Sequence, residues 1–315
     1  MKDQLRIFSG KAHPELADEI CSLRGLPRSA SFTTHFYNDN VYVQLRETVR
    51  ECDVFIVQPF YPPPVSDHIL ELLLMLDAAW SASARRITAV VPYYSYSRSD
   101  KKDEPRISIA GRLIANLIAT AGAQRVVTMG LHAPQVHGFF SLPTDHLSSM
   151  SVLVSHFQKQ NLEGATVVAP DMGHIKRATE FARELGLPLA AVSKKRISDD
   201  QVVVDAVVGD VRGDHAILFD DEIAAGTTMV EAIRALRTCG IQKATLVCTH
   251  GIFCGPAIER LGSVPEIKSI VTTNTVPIPR EKRIRGMKVL SVAPLFAEAI
   301  RRIHEGESMQ PLFEY

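Results

Sequence analysis

The chain has 315 residues with 35 basic and 35 acidic side chains, so no overall positive field exists to attract nucleic acid or anionic lipid, and any anion site must be local. Hydrophobic residues at 46% and charged residues at 22% suit a packed core, and the length suits two domains of ordinary size. The five cysteines, Cys21, Cys52, Cys239, Cys248 and Cys254, form no CxxC pair, which argues against a disulfide framework or a structural zinc site.

Met1-Lys2-Asp3-Gln4 leads directly into a strand-like run and does not read as a signal peptide. The first predicted elements are a strand at Leu5–Phe8 and a helix at His13–Leu23. A strand at Val54–Gln58 precedes a helix over Asp67–Ser83, with Ser66 as its cap. Its most apolar stretch, Ile69 to Trp80, contains Glu71 and Asp77 and is too short to cross a bilayer; a soluble cytoplasmic protein is expected. A strand at Ile87–Val91 follows. Ser108 is placed to cap a helix over Ile109–Ala121, with Leu113, Ile114, Leu117 and Ile118 on one face and Gly122 as the stop. Further strands are predicted at Arg125–Met129, Thr166–Ala169, Leu189–Val192, Val202–Val208 and Ala216–Phe219. Thr227 or Thr228 caps a helix running to Thr238, strands follow at Ala244–Cys248 and Ile270–Thr272, and Leu295–His304 is the last helix.

Several of these strands are apolar on successive residues, the mark of strands buried on both faces of a parallel sheet. Their alternation with helices predicts doubly wound α/β architecture. A short pattern occurs twice: Gly122-Ala-Gln124-Arg125, an apolar strand and His132, then Gly240-Ile-Gln242-Lys243, an apolar strand and His250, at the same separation. Two similar halves meeting near residues 146–165 are expected.

Ligands bind beyond the carboxyl ends of strands in such sheets, and polar clusters stand at four of these ends. Asp220-Asp221-Glu222 leads into Ala224-Ala225-Gly226-Thr227-Thr228. Small residues and helix-start N–H groups there suit a phosphate, and the acids suit sugar hydroxyls or the waters of a magnesium ion. An ordinary capped turn with exposed acids is the plain alternative. Tyr93 through Asp103 mixes aromatics with Arg98, Lys101 and Lys102; it reads as a phosphate and base site or as a solvated loop. His132 and His137 lie among small residues after a strand. Pro170-Asp171 precedes a helix, where Asp171 can be a cap alone. Ser193-Lys194-Lys195-Arg196 adds three cations after another strand, as a phosphate clamp or a solvated segment.

In this order, these segments resemble the ribose-phosphate pyrophosphokinase family. The likeness runs through nearly the whole chain: Phe36-Tyr-Asn38, Arg98-Ser-Asp100-Lys-Lys-Asp103, Leu131-His132-Ala, Gly138-Phe-Phe140, Pro170-Asp171 with Lys176-Arg177, and Val208-Gly209-Asp210-Val211. It continues with Thr249-His250-Gly-Ile-Phe253, Gly255-Pro256-Ala257-Ile258 and Glu298-Ala-Ile300-Arg301-Arg302. The resemblance implies an α/β fold of two tandem type I phosphoribosyltransferase-like domains, each a largely parallel sheet flanked by helices. They would span 1–147, on the ATP side, and 148–299, on the sugar side, with the tail 300–315 packing back on the first.

It further implies transfer of the β,γ-diphosphate of Mg-ATP to the C1 hydroxyl of ribose 5-phosphate, giving 5-phosphoribosyl 1-diphosphate and AMP. By motif match, Phe36, Asn38, Asn40, Arg98, Ser99 and Asp103 belong to ATP, with the Asn38 loop reaching a neighbouring subunit. His132 and Asp171 belong to Mg2+, and Lys194 and Arg196, with His132, to catalysis. Arg196, Asp220, Asp221, Ala224, Ala225, Gly226, Thr227 and Thr228 belong to ribose 5-phosphate. A dimeric or hexameric homo-oligomer is implied, with phosphate or ADP as effectors near Arg50, His137, Asp145 and Ser308. Some positions depart from the family pattern: Gly130 and Asn40 stand where acids are common, and Ser99 where Gln is common. Ala225-Gly226-Thr227-Thr228 stands for the usual Thr-Gly-Gly-Thr/Ser, so Thr227 is expected to place a Cβ where glycine permits unusual backbone angles. A non-catalytic regulatory paralogue, or a diphosphokinase for a related phosphosugar, is the alternative.

Overall fold

A computed structural model of the protein describes residues 4–196 and 202–313. In chain order the elements are β1 (Leu5–Ser9), α1 (Pro14–Leu23), β2 (Ser31–His35), β3 (Val41–Leu45), β4 (Asp53–Val57), α2 (Val65–Ser81), β5 (Arg86–Val91), α3 (Ala110–Thr120), β6 (Arg125–Met129) and β7 (Thr144–Leu147). Then come α4 (Met150–Phe157), β8 (Ala165–Ala169), α5 (Ile175–Leu185), β9 (Leu189–Arg196), β10 (Val202–Gly209) and β11 (His215–Ile223). The chain ends with α6 (Thr227–Leu236), β12 (Lys243–Gly251), α7 (Ala257–Gly262), β13 (Ile267–Thr273), β14 (Met287–Leu290) and α8 (Ala293–Glu305). It divides into two compact units, one of Met1–Ser148, Thr275–Pro277 and Val292–Tyr315, the other of Ser149–Asn274 and Ile278–Ser291.

In the first unit a five-stranded parallel sheet runs β1-β4-β5-β6-β7. Side chains alternate across a strand, so the apolar run of β4 feeds two cores. Val54 and Ile56 pack with Leu72, Met75 and Leu76 of α2 and with Ile114 and Ile118 of α3. Phe55 and Val57 pack with Leu16 and Ile20 of α1 and with Phe296 and Ile300 of α8. β2 and β3 form a separate antiparallel hairpin.

In the second unit the sheet has seven strands in the order β10-β9-β8-β11-β12-β13-β14. All its pairings are parallel except β10 with β9. Leu218, Leu246 and Ile270 face Met229, Ile233 and Leu236 of α6 and Leu261 of α7. Val167, Phe219 and Val247 face Phe157 of α4 and Phe181 of α5. The Phe181 and Phe219 rings stack at 4.7 Å, and truncating either to alanine would cost about 3–5 kcal/mol.

Local details differ from the sequence expectations. α2 starts at Val65, with Pro64 before it and no side-chain cap; the Ser66 hydroxyl turns to Asp67 instead. At α3, Ser99 takes the role expected of Ser108, its Oγ accepting from Ala110 N at 3.1 Å. Only half of the expected α3 face is inward: Ile114 and Ile118 are buried beside Gly111 and Ala115, whereas Leu113 and Leu117 are exposed. Among the described residues no helix is long and apolar enough to cross a membrane.

Candidate functional site

β11 runs on through the acids. It pairs with β8 only as far as Leu218, opposite Val168, but with β12 as far as Ile223, opposite Gly251. Asp220, Asp221 and Glu222 therefore lie within the strand and are buried, at 4%, 2% and 7% exposure, not exposed as a plain capped turn would have them. Two carboxylates accept from the backbone just ahead: Asp221 N donates to Asp220 Oδ1 at 2.8 Å and Glu222 N to Asp221 Oδ1 at 2.9 Å.

Beyond the acids the chain turns through Ala224 and Ala225 into Gly226, the residue before α6. Gly226 has φ +73° and sits against Leu261, whose side chain a Cβ would meet at 3.1 Å. Thr227 is the first helical residue. The expectation that a side chain at 227 meets an unusual backbone angle is thus corrected: the left-handed position is one residue earlier and already glycine. Neither Thr227 nor Thr228 caps the helix. Cys254 N holds Ala224 O at 2.9 Å, and Arg260 Nη1 donates to Ala225 O. α6 thus begins in the turn that follows the acid-bearing end of β11, and the N–H groups of its first turn suit a phosphate.

Asp171 follows β8 in extended conformation and caps a short 3-10 turn, accepting from Gly173 N at 2.9 Å. His174, a residue the sequence reading gave no role, joins this acid to the β11 pair. Its Nδ1 is 2.9 Å from Asp171 Oδ1, and its Nε2 is 3.1 Å from both Asp220 Oδ1 and Asp221 Oδ1. Burial disfavours the imidazolium. The hydrogen bonds to Asp171 and Asp221 and the charges of Asp220 and Asp221 prevail, and the ring is raised to about 10. With both nitrogens protonated, both can donate. Burial first, then the charge of Asp221, pushes Asp220 well above the ordinary carboxylate range against the pull of His174. The Asp171-x-x-His174 spacing was the available signal, because residues three apart eclipse one another in a 3-10 turn. Asp171 and Asp221 place carboxylate oxygens at this strand end, the hard ligands that suit a magnesium ion.

Lys194 and Arg196 lie on β9; their side chains fall outside those described. Phe36, Asn38 and Asn40 form the tip of the β2–β3 hairpin, closed by Phe36 N on Asn40 O at 2.9 Å and Asn40 N on Asn38 Oδ1 at 3.3 Å. Phe36 and Tyr37 are exposed there. Arg98 ends a 3-10 turn after β5 and is exposed; Asp103 is exposed in the following loop. Ser99 Oγ also donates to Ser108 O at 3.3 Å, so Ser99 has a structural task at α3. His132 follows β6, half-buried, its backbone N–H on Ser97 Oγ at 3.4 Å. Gly130 before it has φ +59°, which glycine adopts at no steric cost.

Residues 5–122 match the family model of the N-terminal domain of ribose phosphate pyrophosphokinase, and residues 204–314 match the phosphoribosyl synthetase-associated domain. A ribose-phosphate pyrophosphokinase of Deinococcus radiodurans is 50% identical, covering 99% of this chain and 98% of its own. One of Clostridium acetobutylicum is 46% identical, covering 98% and 97%. The crystal structure of phosphoribosylpyrophosphate synthetase from Mycobacterium smegmatis superposes with a TM-score of 0.90 at 38% identity, over 96% of this chain and 100% of that one. The two units, each a largely parallel sheet flanked by helices, accordingly have the phosphoribosyltransferase-like fold. The chain belongs to the ribose-phosphate pyrophosphokinase family.

Proposed function

We propose that the protein transfers the β,γ-diphosphate of Mg-ATP to the C1 hydroxyl of ribose 5-phosphate. The C1 oxygen forms a bond to the β-phosphorus and its hydroxyl proton is released to solvent, the bond from that phosphorus to the bridging oxygen of AMP breaks, and AMP leaves. The observation that carries this reading is the placement of buried Asp220 and Asp221 at the end of β11, one short turn ahead of left-handed Gly226 and the start of α6. Carboxylates accept from sugar hydroxyls, and the N–H groups of a helix start hold a phosphate, so one strand-turn-helix suits both ends of a pentose phosphate.

Phosphoryl-type transfer needs alignment and charge neutralisation more than covalent help. Lys194 and Arg196 are the proposed cations for the transferred group, and Arg98, with Ser99 and Asp103, the proposed triphosphate segment. The exposed hairpin tip of Phe36, Asn38 and Asn40 is the proposed adenosine contact of a neighbouring copy in a homo-oligomer. Magnesium, for which His132 and Asp171 are the proposed holders, would supply charge neutralisation on the phosphate oxygens. The deciding experiment is AMP release from Mg-ATP with and without ribose 5-phosphate, across phosphate concentrations. Sugar-dependent AMP is expected, and its absence under every condition would overturn the reading.

A further inference from the structure

The ladder between β8 and β11 ends at Val168 and Leu218. Past that point lie the acids of the site, Asp171 after the end of β8 and Asp220 and Asp221 within β11. Pro170, which has no N–H to lend to a ladder, stands between the last pair and Asp171. Both chains continue beyond their last shared backbone hydrogen bond, and their carboxylates repel one another. The His174 ring stands in that gap, with only 12% of its side chain exposed, and touches both sides: Asp171 through Nδ1, Asp220 and Asp221 through Nε2. It sits at the join between the short 3-10 turn and α5, so its backbone is anchored.

We infer that His174 is a positioning residue, a side-chain cross-tie that fixes the spacing between Asp171 and the sugar acids where the sheet no longer does. The inference rests on the proposed reaction, in which the sugar meets Asp220 and Asp221. A ring planar and nearly buried holds two carboxylate groups at a set separation better than a flexible chain, because few of its rotamers are open. Its loss would let Asp220 and Asp221 relax apart from Asp171, and the sugar would meet a site ordered only on binding.

The test compares wild type, His174→Ala and His174→Gln, with ribose 5-phosphate and Mg-ATP varied separately and ribose 5-phosphate affinity also measured by calorimetry. His174→Ala is expected to lower kcat/KM for ribose 5-phosphate by roughly 10- to 100-fold, the loss of the ring's hydrogen bonds to the carboxyl groups on both sides. Most of that loss should be in the sugar KM, with the KM for ATP little changed. His174→Gln, whose amide N–H groups can donate to Asp220 and Asp221, should recover part of the sugar affinity. If His174→Ala does not fold, the glutamine variant carries the test by showing a sugar KM between wild type and about 100-fold weaker. Equal increases in both KM values, a glutamine variant no better than alanine, or a folded variant with wild-type sugar affinity would each overturn the role. The two readings fail separately. Wild type without sugar-dependent AMP overturns the reaction, whereas unchanged calorimetric affinity in the variants overturns the cross-tie.

Discussion

His304 Nδ1 lies 2.8 Å from Asp53 Oδ2, although the two residues are 251 positions apart. The contact ties α8 to the start of β4 within the first unit. Asp53 is fully buried and also receives the Arg86 fork, Nε on Oδ1 at 2.8 Å and Nη2 on Oδ2. Arg86→Leu removes the larger partner and leaves a buried carboxylate with only the histidine, which should destabilise the protein by about 3–5 kcal/mol. His304→Leu leaves the fork intact and should cost only about 1–2 kcal/mol. Urea unfolding followed by circular dichroism orders the two variants. Equal costs would show that the fork is not the dominant support of Asp53.

The pH dependence of α8 has a defined window. Hydrogen bonds from Arg301 hold Glu298 at about 2, below its ordinary value of 4.5, against a smaller effect of burial and with help from Arg302. A carboxylate depressed on folding stabilises the native state fully above its unfolded value, and that contribution fades as pH falls toward the folded one. Glu298 is only half-buried, so solvent screening keeps the effect small. Glu298→Gln should therefore be slightly less stable than wild type at neutral pH, and the gap should close between 4.5 and 2. Melting temperatures across that range check it; a gap that widened on acidification would contradict the assigned sign.

The sugar loop separates two neighbouring positions. Gly226→Ala puts a Cβ at φ +73° and at 3.1 Å from Leu261, a strain of about 1–2 kcal/mol. It should weaken ribose 5-phosphate binding by displacing the start of α6. Thr227→Gly, which moves the loop toward the usual family pattern, relieves no backbone strain because Thr227 is already helical. It should cost up to about 1 kcal/mol of helix stability without improving the sugar KM. A large gain in sugar affinity from Thr227→Gly would mean that the hydroxyl-bearing side chain itself obstructs the site.

The interior strands were legible because Asp53–Val57, Arg86–Val91 and Ala165–Ala169 are buried on both faces, which requires apolar residues in succession. The criterion failed at exposed edges. β7 reads Thr-Asp-His-Leu and is held at the rim of its sheet partly by Arg125 on Asp145 at 2.6 Å, and the half-exposed hairpin strands β2 and β3 alternate with polar residues. β14, likewise at a sheet edge, was missed for the same reason. At the site, Asp171, Asp220 and Asp221 stood out as acids at strand ends. His174 did not, since its spacing from Asp171 points only to the local contact, and its reach to Asp220 and Asp221 depends on β8 and β11 being neighbours. The left-handed position lies at Gly226 and not at 227, and a loop of small residues does not reveal which one leads into the helix.

Asp171 has two tasks that substitution can separate. As a cap it accepts from Gly173 N and faces His174 Nδ1, and an asparagine oxygen can accept both bonds. As the proposed magnesium residue it needs its charge, which asparagine lacks. Asp171→Asn should thus keep stability within roughly 0.5 kcal/mol of wild type, since the two residues cap about equally well. Asp171→Ala should lose about 1 kcal/mol. Both variants should need far more Mg2+ for half-maximal AMP release, by roughly tenfold or more. Melting temperature and a magnesium titration, measured on the same preparations, give the two readouts. If Asp171→Asn matched wild type in its magnesium requirement, capping would be the whole role of Asp171, and the metal would have to be held by other carboxylates.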